Sequence, residues 1–506
     1  MTDIAENTGV TVLIAATLRT FTDRIPEFTV EAGSVSEVID ILSSEYPDIR
    51  KVLLDDDGNI RDFINIYIND RSIRELKGLR SALKSGDTLL LLPAMAGGSG
   101  ENPKIRPKER IRNESIIPDA RYKEIKLDDK QISRYNNHLQ LKDISVKGQK
   151  RIMASKVLIA GLGALGGVVA QNLAAAGVGT IGIADFDKVD LNNLQTQIIH
   201  STRDVGRPKA ASVKDAIKRM NPLINTVVHQ ERLSADNISE IISGYDIVVD
   251  ATDNYVSRYL INDACVLSGK PVVYGAMYQF EGLVSVFDGV KGPCFRCQFP
   301  SPPPEGLVPT CSSSGTETPL PGTVGSLMAN EVIKLITGKG EVLVGKILAI
   351  DIWNLSFRKS DVIKDAGCAV CGKRPTVTSV EEIDYEDFCG LKRLDEEEPV
   401  ESLDPQEFAR RLAGGAPLTI IDVREPHERS ILRFPDAIYI PIGQLARRQN
   451  ELDPEVDTVF ICKEGKRSAF AIRTLREAGY TGPCYNLKGG LDASAEIVLP
   501  NEGAWL

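Results

Sequence analysis

The strongest constraint in this sequence is a short glycine-rich run, Gly161-Leu162-Gly163-Ala164-Leu165-Gly166. It follows a compact apolar segment, Lys156 to Ala160, and leads into another, Val168 to Ala176. The first reads as a buried strand and the second as a helix. Glycines let the backbone turn sharply and approach a phosphate, and the amides at a helix start stabilise negative charge. Asp185 stands about twenty residues on, where the next strand-like run, Thr180 to Ala184, ends. A carboxylate at that place accepts ribose hydroxyls. Ile247 to Asp250 reads as a further strand. The rhythm predicts a doubly wound α/β sheet that binds a nucleotide through Gly161, Gly163, Ala164, Gly166 and Asp185. The loop alone does not separate ATP from a dinucleotide.

This sheet accounts for only part of the chain. The 506 residues suggest roughly three domains at ~100–200 residues each. Glu101 to Asp119 is charged and proline-bearing and reads as a linker. Glu381 to Val400, with Glu396-Glu397-Glu398-Pro399, reads as a second seam. The expected units are 1–98, a linker at 99–120, 121–385 and 395–506. The first is a small α+β unit. It has strand-like runs at Val10–Ala16, Phe28–Glu31, Ile64–Asn69 and Thr88–Leu92, and Ser34 and Glu37 form a capping box before a helical pattern. The last is a smaller α/β unit, with strands at Leu418–Val423 and Thr458–Ile461 and a helix from Ser468 to Ala478 that Gly479 stops.

Charge and hydropathy exclude some classes. The net charge is −10, which argues against nucleic acid as a partner. The longest apolar run, Val157 to Ala170, has fourteen residues and four glycines, too short and broken to span a bilayer. Met1 to Val10 lacks the pattern of a secretory leader. The expectation is a cytoplasmic protein with no membrane partner.

The segment after the second strand, Asp185-Phe186-Asp187-Lys188-Val189-Asp190-Leu191-Asn192-Asn193-Leu194-Gln195-Thr196-Gln197, resembles the motif of adenylyltransferases that activate sulfur carriers for molybdopterin and thiamine synthesis. These enzymes are relatives of ubiquitin-activating enzymes. Arg134-Tyr135, Arg207-Pro208-Lys209 and Ala251-Thr252-Asp253-Asn254, with Arg258 behind, match further motifs in order, over about 134–371. The resemblance implies a Rossmann-like domain that uses ATP. Asp185 would hold the ribose, Lys209 and Asn193 the phosphates, and Asp253 would organise Mg²⁺, with Asn192 and Asn254 also in the cofactor-binding set. Two positions depart from the pattern. Thr196 and Asn137 stand where the family carries arginines that grip the terminal phosphates, and neither offers a guanidinium fork. Arg134, Lys209 and Arg203 are the candidates to compensate.

Cysteine spacing points to a metal. Cys294-x-x-Cys297 and Cys368-x-x-Cys371 offer four thiolates, enough for a closed tetrahedral Zn²⁺ site with a structural role. The resemblance implies the same four ligands. Cys311 falls in a Ser/Gly/Thr/Pro-rich loop and aligns with the family's reactive loop cysteine.

Cys462-Lys463-Glu464-Gly465-Lys466-Arg467-Ser468 lies between a strand and a helix, where amides and the Lys463, Lys466 and Arg467 charges stabilise a thiolate or persulfide. It resembles the active loop of rhodanese-type sulfurtransferases. Asp422-Val423-Arg424-Glu425-Pro426-His427-Glu428 upstream and Lys488-Gly489-Gly490 downstream also match. Past Gly490, Leu491-Asp492-Ala493-Ser494 stands in place of the expected tryptophan-bearing helix. Residues 10–98 resemble a ubiquitin-like β-grasp sulfur carrier whose tail is Gly97-Gly98. A carrier works through a free terminal carboxylate. Here Ser99 follows, so cleavage after Gly98 by a processing protease is implied.

Together the three resemblances imply a homodimeric adenylyltransferase/sulfurtransferase that makes a carrier thiocarboxylate with sulfur from a persulfide donor. Two other readings remain: a scaffold that holds carrier and sulfurtransferase without using ATP, and an activator for protein conjugation.

Overall fold

The computed structural model describes residues 9–69, 71–93, 114–303, 315–389, 400–415, 417–424, 426–445 and 448–498. Gly97, Gly98 and Cys311 lie outside the described residues.

The first unit is a five-stranded mixed sheet crossed by one main helix. Its strands are β1 (Val10–Ile14), β2 (Glu27–Val30), β3 (Ile64–Ile68), β4 (Arg71–Ser72) and β5 (Thr88–Pro93), in the order β2-β1-β5-β3-β4. β1 runs parallel to β5 and the other pairs are antiparallel, which is the β-grasp arrangement. Helix α1 (Val35–Glu45) starts as expected: the Ser34 hydroxyl accepts the Glu37 amide, and the Glu37 carboxylate accepts the Gly33 amide. Val35, Val38, Ile39 and Leu42 pack on Val12, Ile14, Ile64, Ile66, Leu89 and Leu91. Ile-Asn-Ile-Tyr-Ile in β3 should bury one face only. All five residues are buried, Asn65 and Tyr67 included.

The middle unit is an eight-stranded sheet. Its strands are β6 (Lys156–Ala160), β7 (Thr180–Ala184), β8 (Asn225–His229), β9 (Ile247–Asp250), β10 (Val272–Tyr278), β11 (Glu281–Phe287), β12 (Lys346–Asp351) and β13 (Ser356–Asp361). The order is β13-β12-β11-β10-β9-β6-β7-β8. β10, β9, β6, β7 and β8 are parallel, and β11 to β13 continue antiparallel. The order reverses at β6, with β7 on one side and β9 on the other. Segments leaving the carboxyl ends of β6, β7 and β9 therefore meet in one crevice. Helices α2 (Ala164–Ala176), α3 (Lys209–Met220), α4 (Tyr255–Leu267) and α5 (Pro319–Thr337) cover the sheet. α2 begins at Ala164, four residues before the apolar run that reveals it, because Gly163 is its N-cap. The end of the linker also packs on this unit: Ile117 is buried, and the Ile116 amide donates to the Leu335 carbonyl. Val380, Tyr385 and Cys389 at the start of the acidic seam are likewise buried.

The last unit is a parallel sheet of β14 (Ser402–Leu403), β15 (Leu418–Asp422), β16 (Ile438–Tyr439), β17 (Asp457–Ile461) and β18 (Cys484–Leu487), ordered β14-β18-β17-β15-β16. Helix α6 (Lys466–Glu477) follows β17, and α7 (Gly490–Val498) follows β18. The helix after Gly490 is therefore present without its tryptophan, with Leu491 and Ser494 buried. Among the described residues no helix is long and apolar enough to cross a membrane.

Candidate active sites

The glycine loop is shaped by backbone contact at two positions and left open at a third. Gly161 has φ +85°, and a Cβ there would lie 2.8 Å from the Ala251 carbonyl oxygen. A Cβ on Gly166 would lie 1.8 Å from the Gly161 oxygen, so the loop closes over itself only with glycine. At Gly163, the N-cap of α2, the nearest atom to such a Cβ is Gln197 Nε2 at 3.8 Å. Packing does not demand glycine there. The free space at a helix N-terminus suits a phosphate.

Asp185 binds this loop to its own strand end. One carboxylate oxygen accepts the Leu162 amide at 2.7 Å and the other the Asp187 amide at 2.8 Å. Each oxygen keeps acceptor capacity for a ribose hydroxyl. Lys209, the first residue of α3, is buried to 7% exposure and pairs through Nζ with Asp187 at 3.0 Å. Asn193 accepts the Asp190 amide in a capping box, and the Asn192 amide donates to Asp190. The Asp253 loop is held from below. Thr252 donates through its amide and hydroxyl to buried Asp250, and Arg258 donates to the Thr252 carbonyl at 2.7 Å. Burial raises the Asp250 pKa, against the pull of Arg258 and Thr252. Asp253 is exposed at the tip of this loop, and the Asn254 side-chain oxygen caps α4.

Two buried groups in this site were given no role by the sequence, although Gln197 ends the Asp185–Gln197 segment that carries the resemblance. Gln197 Oε1 is buried with no hydrogen-bond partner among the described residues, and His200 is buried against the Leu162 backbone. Gln197 abuts Gly163, and His200 sits beside Leu162 with its Nδ1 2.9 Å from Ser212 Oγ. Burial holds the His200 pKa below the ordinary histidine value. Their spacing from Asn193 on one turn-rich segment was the available signal. Of the compensating cations, Arg134 is elsewhere: it donates to the Met220 carbonyl at the far end of α3, about 17 Å along the helix from Lys209. Asn137 is exposed, and the Thr196 hydroxyl turns back to the Asn193 carbonyl.

The two cysteine pairs converge although 70 residues separate them. All four Sγ atoms lie within 4.8 Å of one another, with neighbouring separations of 3.9, 3.5 and 3.3 Å. Sulfurs of a tetrahedral Zn–S₄ site lie about 3.8 Å apart for ~2.3 Å bonds, so the cluster fits a closed zinc site.

In the last unit the Cys462 sulfur sits at the end of β17, 1% exposed, and faces the start of α6. It accepts the Gly465 amide at 3.1 Å and the Ser468 amide at 3.4 Å, and lies 3.2 Å from Ser468 Oγ. Gly465 has φ +85°. A Cβ on Gly490 would fall 2.3 Å from the Lys463 oxygen, so the second glycine run exists to let α7 press on the loop. Arg467 makes a bidentate pair with Glu428 at 2.7 and 2.6 Å. Arg424 forks onto buried Asp422 at 2.9 and 2.8 Å and ties the upstream motif down.

A phosphate-type cradle on a doubly wound sheet, joined to a buried sulfur cradle, defines an enzyme of nucleotidyl and sulfur transfer. Family models match in three places: the ThiS family over residues 12–98, the ThiF family over 135–370 and the rhodanese-like domain over 404–496. The probable adenylyltransferase/sulfurtransferase MoeZ of Mycobacterium tuberculosis is 41% identical over 380 residues, covering 73% of this chain and 94% of that protein. The adenylyltransferase and sulfurtransferase MOCS3 of Aedes aegypti is 39% identical over 392 residues, covering 74% and 89%. Among solved structures, Escherichia coli MccB matches with a TM-score of 0.43 and 23% identity, covering 52% of this chain and 78% of that one. The chain belongs to the adenylyltransferase/sulfurtransferase family, with a ThiS-type carrier domain at its front.

Proposed function

We propose that this enzyme adenylates the Gly98 carboxylate of its own carrier segment, freed by cleavage, and converts it to a thiocarboxylate with sulfur carried on Cys462. The observation that carries this reading is the open position at Gly163, flanked by Asp185, Lys209 and the Asp253 loop. Asp185 would orient the ribose, and the α2 amides with Lys209 would take the phosphate charge. Asp253 would hold Mg²⁺, which supplies charge neutralisation on the departing pyrophosphate. Zn²⁺ on Cys294, Cys297, Cys368 and Cys371 would serve structure, since four thiolates leave no open position.

For the second half-reaction, the amides around Cys462 favour an anionic sulfur. A persulfide there would attack the activated carbonyl carbon, expel AMP and leave an acyl disulfide. By resemblance, the Cys311 thiolate would attack the Cys462 sulfur, release the thiocarboxylate and leave a Cys311–Cys462 disulfide for a thiol reductant. A processing protease, a persulfide donor, a homodimer and a cytoplasmic setting complete the proposal.

The test is ATP–pyrophosphate exchange on protein cut after Gly98. Exchange that needs the cut and vanishes in Asp253→Ala supports adenylation despite Thr196 and Asn137. No exchange from folded, cut protein sinks it and favours the scaffold.

A further inference from the structure

The carrier sheet is covered on both faces. α1 covers one, and the other meets the middle unit where Tyr67 contacts Gln298. Ala15, Tyr67, Leu90 and Leu92 form that second apolar face, all at 9% exposure or less. Three polar contacts pin it across the domain boundary. Gln298 Nε2 donates to the Tyr67 hydroxyl at 2.9 Å, Arg19 pairs with Glu281 at 2.7 Å, and Ser301 hydrogen-bonds to the Asp62 carboxyl. Gln298 directly follows Cys297, so the cysteine cluster builds part of the seat. The Ala16–Phe21 turn also adjoins Ile442–Gln444 of the last unit, so the carrier touches both catalytic units.

The seat lies at the chemically relevant edge. β10 is parallel to β9 and β6, and Glu281 begins β11 just after the carboxyl end of β10. The glycine loop and Asp253 leave that same edge. From β11 to β6 is three strand spacings, about 14 Å. The five residues from Pro93 to Gly98 reach about 17 Å when extended.

We infer that the tethered carrier is the resident occupant of its own activating unit. The intact chain therefore excludes a second carrier, and the cut after Gly98 leaves the carrier seated until it is exchanged. This rests on the reading of 1–98 as a cleavable carrier. The seat is held by Tyr67, Leu90 and Leu92 through apolar burial, and Arg19–Glu281 sets its register.

The experiment uses the full chain with a specific protease site inserted after Gly100. After cutting, the segment should remain with the rest of the protein on a sizing column at micromolar concentration. Leu90→Arg, whose side chain faces the seat and not α1, should weaken retention at least tenfold. Arg19→Glu should weaken it severalfold, and adding Glu281→Arg should restore it, which a folding defect would not permit. In a mixing arm, isotope-labelled segment from cut protein should move onto other cut protein at least tenfold faster than onto intact chain. Immediate loss of the wild-type segment, indifference to both substitutions, or equal transfer to intact chain would each overturn the inference. No ATP is used, so a failure of adenylation leaves this result standing, and a failed seat leaves pyrophosphate exchange interpretable.

Discussion

The glycine loop and the Cys462 loop are two versions of one device. Each joins the carboxyl end of a parallel strand to the first turn of a helix. They differ in what fills that turn. In the first loop the nearest atom to a Cβ on Gly163 is 3.8 Å away, which leaves room for an anion from outside. In the second, the Cys462 sulfur fills the cradle and is 1% exposed. One cradle suits a ligand that comes and goes; the other holds a reactive atom that belongs to the chain. The flanking cations follow the same division. Lys209 rests on the single carboxylate of Asp187, whereas Arg467 is forked onto Glu428. A single ion pair can re-partner with a phosphate more readily than a bidentate one.

Four experiments break or sharpen this contrast. Cys462→Ser should abolish sulfur transfer, by at least about 10³-fold, and leave pyrophosphate exchange intact, because only the second cradle owns its reactive atom. Asp253→Ala or Lys209→Ala should cut exchange by about 10²–10³-fold with persulfide loading of Cys462 unchanged. Gly163→Ala should fold normally, since the site has room for a methyl, yet raise KM for ATP about tenfold by crowding one phosphate contact. Gly166→Ala should fail to fold, as its Cβ meets backbone at 1.8 Å.

The smallest effect is on pH dependence. Burial lowers the pKa values of His200 and His229 below 6.5 in the middle unit. Folding then favours their neutral forms. That stability is fully present above about pH 6.5 and is lost as pH falls through the folded values. Melting of the middle unit should drop by a few degrees on acidification, and His200→Gln should flatten the slope. A slope unchanged in that variant would remove His200 from the account.

Much of both cradles was legible because they are local. Gly161 to Gly166, Asp185 and Cys462 to Ser468 are contiguous runs whose residue types dictate turn geometry. The convergence of Cys294, Cys297, Cys368 and Cys371 was legible from thiol chemistry alone. What stayed hidden depends on long-range packing. Asn65 and Tyr67 alternate with isoleucines as on a half-exposed strand, yet both are buried, and Tyr67 meets Gln298 of the middle unit. Arg134 sits in the matching motif but is spent on the Met220 carbonyl, which no spacing reveals. Gln197 and His200 look unremarkable until the loop closes over them. The α7 helix forms without its tryptophan because Gly489 and Gly490 already fix its entry.

The separation of the cysteine pairs has a consequence for biosynthesis. Carrier residues up to 98 leave the ribosome 273 residues before Cys371, which closes the cluster beside Gln298. At about 5–20 residues per second this is a delay of roughly 14–55 s. During that interval the newborn carrier shows Tyr67, Leu90 and Leu92 to solvent, without the Gln298 side of their packing. The nascent chain is thus most exposed to aggregation and chaperone capture before its middle third exists.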